Sequence, residues 1–275
     1  MFTRADNSYE HNDSIIKNIL NDEASTITRI VNIIPERSKI LDVGAGNGVL
    51  AKLFKFKNKS VIIDGVEPNK FASNIAKLEY RNFYNGYIQE FMDEILNEKY
   101  DFIIFADVIE HIDNPIDVFK DFFKKLDMTT KIIISVPNIA FGAVRLSLMQ
   151  GSFHYVDSGI LEKTHLRFYT LNTLNKLISN LNLNIDELYY LNRNLNNTEI
   201  KLNTLKVNPL AIHFVSKDKL SHVYQFLVVL SKEVKLTKEK TYGKKSRFPL
   251  LEYIFKPVVM RNVKLKSFVK RFYRL

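Results

Sequence analysis

The sequence predicts an α/β fold with a doubly wound, mostly parallel sheet of seven strands and helices on both faces, followed by a basic C-terminal tail. Two observations support this prediction. Short apolar runs rich in β-branched residues alternate with segments of helical periodicity, a pattern typical of βαβ units. In addition, the first apolar run ends in three glycines at alternate positions, a turn that can lead a strand directly into a helix.

The expected elements follow one another along most of the chain. An amphipathic helix is predicted over residues 14–34, and later helices over residues 49–56, 69–79 and 115–126 and in LNTLNKLISNLNL. Strands are predicted in SKILDVG, SVIIDGVEP, RNFYNGYI, YDFIIFAD and TKIIISVPN, of which RNFYNGYI has the weakest pattern. IDELYYL and HVYQFLVVLS are the two closing strands.

Composition and charge divide the chain into two parts. The absence of cysteine excludes disulfides and thiolate chemistry. Residues 232–275 hold fourteen Lys and Arg against three Glu, whereas residues 1–231 hold 26 basic and 27 acidic residues. We therefore predict a near-neutral domain over residues 1–231 and a basic tail over residues 232–275. A domain without surplus cations is not expected to bind nucleic acid.

The tail has the pattern of an amphipathic basic helix behind a solvated linker over residues 232–247. Such a helix fits an anionic membrane surface, although it could equally pack on its own domain or on a second subunit. The polar first residues and the lack of an apolar run of about eighteen residues predict a cytoplasmic protein, held at the inner face of the membrane if the tail binds there. The apolar side of the helix comprises Val258, Leu265, Phe268, Val269, Phe272 and Leu275.

The three glycines follow Asp42 with a spacing that fits neither the G-x-G-x-x-G dinucleotide motif nor the G-K-[ST] ending of a P-loop. Glycines at such a turn either tighten strand–helix packing or let a ligand approach the backbone. The spacing resembles the D/E-x-G-x-G-x-G pattern of S-adenosylmethionine-dependent methyltransferases. This resemblance implies that Asp42 accepts a hydrogen bond from the cofactor's ammonium group. It also implies cofactor contacts from Gly44, Ala45, Gly46, Asn47 and Gly48.

Further cofactor contacts are expected at the ends of the next strands. Glu67, followed by Pro68, lies about twenty residues after the glycines, where a doubly wound fold binds ribose hydroxyls. The backbone of Tyr87 and Ile88 is expected to bind adenine, with the Tyr87 ring available for stacking. Asp107, at the end of the fourth strand, completes the predicted cofactor contacts.

Two longer segments resemble a particular family. FADVIEHIDNP and SVPNIAFGAVRLSLMQGSFHYVDSGILEKTHLRFYT are similar to segments of Rossmann-like class I methyltransferases, namely ubiquinone-biosynthesis O-methyltransferases and, more closely, enzymes of bacterial surface-polysaccharide gene clusters. The resemblance covers roughly residues 38–190 and implies methyl transfer to a hydroxyl of a glycan or glycan precursor. A quinone or another small molecule is the alternative acceptor, and a catalytically silent cofactor-binding scaffold subunit is the alternative role.

Two histidines are the candidates for the general base. A neutral imidazole can accept the proton of a hydroxyl near pH 7, and both His111 and His165 lie in the segments just named. A second hypothesis uses the same region, because Asp107, Glu110 and His111 form D-x-x-E-H and His165 could complete a metal site. These ligands would suit Mn²⁺, Fe²⁺ or Zn²⁺ better than Mg²⁺. The prediction nevertheless includes no metal.

The segment over residues 145–167 is the candidate acceptor lid. Aromatic rings stack on sugar faces, and Arg or Lys pairs with phosphate or uronate groups. The alternative is a cover that only packs on the sheet. The residues expected to bind the acceptor are Arg145, Tyr155, Lys163 and Arg167, with Phe153 beside them.

Overall fold

The computed structural model describes residues 13–195, 198–202 and 207–244, which form an eight-stranded sheet with helices on both faces. The strands are β1 (Lys39–Val43), β2 (Ile62–Val66), β3 (Phe83–Tyr84), β4 (Phe102–Ala106), β5 (Lys131–Pro137), β6 (Asn184–Asn192), β7 (Val223–Ser231) and β8 (Lys238–Tyr242). Their order is β3-β2-β1-β4-β5-β7-β6-β8. Only β7 is antiparallel to its neighbours, so the predicted class is confirmed, with one strand more than the predicted seven.

The five predicted helices lie close to their expected positions, with one exception, and the structure adds three among the described residues that were not predicted. The helix predicted over residues 14–34 is two helices, because the backbone N–H of Ala24 bonds to the Asp22 carboxylate and Ser25 caps a new helix by accepting from the N–H of Thr28. The helices are α1 (Asp13–Asn21), α2 (Thr26–Ile33), α3 (Val49–Phe56), α4 (Lys70–Ala76), α5 (Met92–Leu96), α6 (Pro115–Lys125), α7 (Gly142–Met149), α8 (Leu171–Asn180) and α9 (Pro209–Lys217).

Strand β8 lies inside the segment that the sequence predicts as a solvated linker, so that expectation is wrong for Lys238–Tyr242. The strand pairs in parallel with β6. Its last ring, that of Tyr242, stacks on Tyr189 with centroids 6.0 Å apart, and the Arg29 guanidinium lies 4.1 Å from the centre of that ring. The sheet therefore extends beyond residue 231. The predicted amphipathic helix after Pro257 lies outside the described residues.

Both faces of the central strands are buried, as the near-continuous apolar runs of β1, β4 and β5 require. On one face, Phe105 packs edge-on against Phe119 and Phe123 of α6, with centroids 4.9 and 5.7 Å apart. On the other, the apolar sides of α2 and α3 cover β1 and β4. Within the described part of the chain, no helix is long and apolar enough to cross a bilayer. Because β1, β2, β4 and β5 are parallel, their carboxyl ends meet at one edge of the sheet, where α/β sheets place their ligands.

Candidate active site

The glycine turn between β1 and α3 is built for close approach to its backbone. Gly44, Gly46 and Gly48 all have positive φ, at 74°, 54° and 80°. The N–H groups of Gly44 and Ala45 donate to the carbonyl of Val66 at 2.9 and 3.0 Å, which ties the turn to the end of β2. A Cβ on Gly44 would lie 2.5 Å from Cγ2 of Val108, whereas a Cβ on Gly46 would meet open space. The space beside Gly46 is therefore the natural place for a ligand.

Glu67 bridges this turn and the start of α4. One carboxylate oxygen accepts from the N–H of Gly46 at 2.8 Å, and the other accepts from the N–H of Asn69 at 2.8 Å. Asn85 and Ser73 donate to its backbone carbonyl, both at 3.0 Å. The carboxylate is buried beside the open space at Gly46. A hydrogen-bond acceptor for the ribose hydroxyls would be needed at this position. Its neighbour Pro68 is exposed at the rim.

Asp42 lies near the end of β1, and the residue is buried, with only 3% of its surface exposed. Its Oδ2 accepts a hydrogen bond from the hydroxyl of Tyr80 at 2.7 Å. Burial raises the pKa of Asp42 to about 7; the Tyr80 hydrogen bond acts in the opposite direction, and the charge of Glu67 adds to the rise. The sequence did not indicate Tyr80, because it follows α4 in a segment without a strong pattern.

The remaining predicted cofactor residues lie along the same edge. Tyr87 is 60% exposed, its N–H donates to a carboxylate oxygen of Glu90 at 2.8 Å, and Ile88 beneath it is buried. Asp107 has a φ of 57°, and its Oδ1 accepts from Ser135 at 2.8 Å and also from Gln225. Burial raises the pKa of Asp107 above its usual value. Its side chain is therefore bonded into the sheet, a role that sequence reasoning missed.

The fold brings the two predicted histidines together. The contact that holds the first of them joins residues that are 53 apart in sequence. His111 ends a 3₁₀ turn, Ile109–His111, which follows β4, and its Nδ1 lies 3.1 Å from the carbonyl of Thr164. The Nδ1 of His165 lies 3.0 Å from the carbonyl of Ile160. Because a carbonyl only accepts, each neutral ring carries its proton on Nδ1 and keeps a lone pair on Nε2. The rings meet edge to face, with centroids 4.8 Å apart.

Glu110 lies against this histidine pair. It is 1% exposed, and neither of its carboxylate oxygens has a hydrogen-bond partner among the described residues. Burial raises the pKa of Glu110 well above its usual value, and the charges of Asp107 and Glu162 add to the rise. Ligand atoms of Glu110, His111 and His165 all lie within 4.8 Å of one another. Asp107, the first residue of the D-x-x-E-H pattern, does not belong to this group.

The two arginines predicted to bind the acceptor are held by the protein itself. The Arg145 guanidinium donates to Asp218 at 2.6 Å and to Ser221 at 2.9 Å, which links α7 to the segment before β7. Arg167 donates to the backbone carbonyl and the carboxylate of Asp113. Both side chains remain partly exposed, so acceptor binding by them stays a prediction.

The loop over residues 151–169 carries the other two predicted acceptor residues. Lys163 forms an ion pair with Asp157 at 2.7 Å on the surface of the loop. Tyr155 is exposed and packs edge to face with Phe153, with centroids 5.3 Å apart. Phe168 in turn contacts His165, at a centroid distance of 6.3 Å. An aromatic rim therefore leads from the protein surface to the histidines.

The sheet order, the glycine turn and the acidic residue at the end of β2 together define a class I S-adenosylmethionine-dependent methyltransferase. The comparison with known families agrees: the family described as "Methyltransferase domain" matches residues 17–188, and the chain belongs to it.

Two curated O-methyltransferases are similar to about half of this chain. The ubiquinone biosynthesis O-methyltransferase of Rickettsia bellii is 27% identical over 154 residues, which are 54% of this chain and 63% of that protein. Its counterpart from Rickettsia akari is 28% identical over 155 residues, 54% of this chain and 60% of that protein. The match thus spans about three fifths of the length of these relatives.

Solved structures share the fold at low sequence identity. A SAM dependent methyltransferase from Archaeoglobus fulgidus superposes with a TM-score of 0.54 at 16% identity, covering 82% of this chain and 96% of that chain. The magnesium protoporphyrin IX methyltransferase from Synechocystis, solved with bound SAH, has a TM-score of 0.51 at 14% identity, covering 82% and 89%. At these identities the likeness establishes the architecture alone.

Proposed function

We propose that this protein transfers the methyl group of S-adenosylmethionine to a hydroxyl of a glycan or glycan precursor, with His111 or His165 as the general base. The observation that supports this most is the position of the histidine pair. Val108, which begins the 3₁₀ turn bearing His111, is the residue that a Cβ on Gly44 would strike. The turn that carries His111 therefore starts beside the glycine turn.

The chemistry needs few groups. The acceptor oxygen attacks the methyl carbon in line with the departing sulfur, so a C–O bond forms as the C–S bond breaks, and positioning provides much of the rate. The hydroxyl proton passes to the Nε2 of an imidazole whose Nδ1–H donates to a backbone carbonyl. The products are the methyl ether, S-adenosylhomocysteine and a protonated histidine.

Cofactor binding is the first test of this proposal. We expect S-adenosylhomocysteine to bind in the micromolar range, and Glu67→Ala to weaken it about tenfold or more, because a charged hydrogen-bond acceptor is lost. Glu79→Ala is the control, since Glu79 pairs with Lys55 on the surface. Calorimetry that detects NAD binding and no S-adenosylhomocysteine binding would refute the assignment.

The acceptor is tested with a labelled methyl group. Aromatic rings at Phe153 and Tyr155 suit the faces of sugars, and Lys163 suits an anionic substituent. A hydroxylated quinone precursor is the second candidate, and the ubiquinone O-methyltransferases among the relatives favour it. Incubation with nucleotide sugars, lipid-linked oligosaccharides and hydroxylated quinone precursors separates the two, because label should enter a glycan fraction if the first proposal is correct.

A metal-assisted version of the same reaction is a second candidate, favoured by one observation. Glu110 is buried with neither oxygen hydrogen-bonded in the described structure, and one ring nitrogen of each histidine lies within 4.8 Å of its carboxylate. One carboxylate and two imidazoles fit Mn²⁺, Fe²⁺ or Zn²⁺, and each imidazole already donates its other N–H to a carbonyl, as metal ligands commonly do. A bound divalent ion would lower the pKa of an acceptor hydroxyl.

Metal analysis decides between the two versions. The purified protein, dialysed against each ion, should retain about one equivalent if the site binds metal, and Glu110→Gln should abolish retention. Chelation followed by Mn²⁺ addition should then restore activity. Full activity after chelation, with no retained ion, would leave histidine alone as the base.

We further propose that the basic tail holds the protein reversibly at an anionic membrane. Each cation near such a surface contributes about 1 kcal/mol, so several together would bind with a steep salt dependence. The full chain should co-sediment with anionic vesicles, and a version ending at Lys244, which keeps β8, should not. Equal sedimentation of both would show that the tail is not the anchor.

A further inference from the structure

Asp42 receives its only side-chain hydrogen bond within the described structure from Tyr80. The neighbours of Asp42 in the sheet are Gly65 on β2 and Ile104 on β4, which bring no polar side chain to it. The Tyr80 hydroxyl donates to its Oδ2 at 2.7 Å, and the remaining charge close to it is that of Glu67, which is negative. Burial, an adjacent carboxylate and low polarity all oppose ionisation of Asp42, and Tyr80 is the group that favours it.

Tyr80 is held firmly for this role. Its side chain is 8% exposed, and its ring packs edge to face on Phe83, with centroids 5.3 Å apart. The ring lies 3.0 Å from where a Cβ on Gly65 would be and 3.4 Å from where one on Gly48 would be. The lack of side chains at these two glycines thus makes room for the ring, and the hydroxyl has one direction in which to point.

We propose that Tyr80 is a positioning residue that keeps Asp42 ionised for the ammonium group of the cofactor, and so sets the lower pH limit of cofactor binding. This inference rests on the proposed function, in which Asp42 accepts from that ammonium. A protonated Asp42 is neutral and cannot form the ion pair. Because the pKa of Asp42 is raised to about 7, the carboxylate is lost as the pH falls through neutrality, and affinity should fall with it.

Removal of the hydroxyl should displace this pH dependence. Tyr80→Phe keeps the ring and its packing but deletes the hydrogen bond that favours the carboxylate, so the midpoint should move to higher pH. At pH 7 we expect S-adenosylhomocysteine to bind about tenfold more weakly, with most of the loss recovered near pH 8. Turnover at saturating cofactor should be little changed, because Tyr80 is not placed at the reacting atoms.

The control variant is Tyr100→Phe. Tyr100 makes the same kind of bond, donating to the buried carboxylate of Asp64 at 2.7 Å. Asp64 precedes Gly65 on β2, so its side chain lies on the other face of the sheet from that of Asp42. It should alter stability without moving the pH profile of binding. Asp42→Asn, which cannot ionise, should bind weakly with a flat profile over the same range.

The ligand offers a second control. 5′-Methylthioadenosine lacks the amino acid portion of S-adenosylhomocysteine, so its affinity should not respond to Tyr80→Phe at any pH. Calorimetry from about pH 5.5 to 8 with both ligands therefore isolates the ammonium contact. If wild-type protein binds neither ligand at any pH, the proposed function itself fails. If wild-type binds S-adenosylhomocysteine and Tyr80→Phe has the same pH profile or a uniform loss, Tyr80 does not control Asp42 and this inference is overturned.

Discussion

Two regions meet at the carboxyl edge of the sheet, and they are built differently. In the cofactor region, the carboxylate of Glu67 is held by nearby backbone: it bonds to the N–H of Gly46, 21 residues away, and to that of Asn69, two residues away. In the acceptor region, His111 is held by Thr164, 53 residues away. A site made from local backbone can be found from a motif, whereas one made from distant loops depends on the whole fold.

The acceptor region also depends on the segment that follows β6. Glu199, in the asparagine-rich segment after β6, accepts from the N–H of Ile160 at 2.8 Å and from the Tyr224 hydroxyl at 2.9 Å. The carbonyl of the same Ile160 receives the Nδ1–H of His165. The orientation of His165 is therefore linked to this segment through a single residue, Ile160.

The largest expected effect separates the two regions directly. His111→Ala should lower turnover about 10²–10⁴-fold, because proton transfer occurs in the transition state, while affinity for S-adenosylhomocysteine should stay within about twofold. His154→Ala is the matched control, because His154 is an exposed histidine of the acceptor lid over residues 145–167. Wild-type turnover in both His111→Ala and His165→Ala would exclude histidine as the base.

Gly44 and Gly46 test the cofactor region from inside. Gly44→Ala places a Cβ 2.5 Å from Val108 at positive φ, so we expect a loss of about 2–4 kcal/mol in the free energy of unfolding. The added Cβ of Gly46→Ala meets open space, so the substitution should lower the free energy of unfolding by only about 1 kcal/mol. It should nevertheless weaken cofactor binding, because the alanine methyl group would occupy the space expected for the cofactor. Urea unfolding and calorimetry measure the two quantities. Equal stability losses would contradict the geometry.

Glu110 tests the electrostatics of the acceptor region. The raised pKa of Glu110 means that the folded state holds the proton more tightly than the unfolded state does. The contribution of Glu110 to the free energy of unfolding is therefore favourable below about pH 4.5 and is lost as the pH rises. Glu110→Gln should therefore stabilise the chelator-treated protein by about 1–3 kcal/mol at pH 8 and have little effect at pH 4. Thermal unfolding at the two pH values checks this. A destabilised Glu110→Gln protein at pH 8 would indicate that the carboxylate has a partner.

Glu199 tests the dependence of His165 on the segment after β6. Glu199→Ala should lower turnover about tenfold, because a partly buried hydrogen bond that orients the loop is lost, with cofactor affinity unchanged. Glu187→Ala is the control, since Glu187 pairs with Lys240 at the far edge of the sheet. If Glu199→Ala weakened cofactor binding as much as turnover, the two regions would not be separable.

The smallest effect concerns Arg145. Its ion pair with Asp218 is partly exposed, so a double-mutant cycle should yield a coupling of about 1 kcal/mol or less in the free energy of unfolding. Arg145→Ala and Asp218→Ala should then change KM for the acceptor equally little. A large rise in KM for Arg145→Ala alone would confirm the predicted contact with the acceptor.

The sequence by itself determined the sheet class, most of its helices and strands, and the cofactor turn. These depend on periodicities of two and 3.6 residues and on glycines that need positive φ, which are local properties of the chain. The predicted cofactor role of Asp42 and the glycines came instead from their resemblance to the methyltransferase pattern, and that of Glu67 from its place at the end of the second strand.

Only the tertiary structure decided the rest. Strand β8 has the sequence KEKTY, whose charges suit an edge strand as well as a linker, so its pairing with β6 could not be predicted. The bond from Tyr80 to Asp42 and the burial of Glu110 beside His165 arise from packing between distant segments. Long-range contacts of this kind leave no periodic trace in the chain, because what brings the groups together is the burial of other residues.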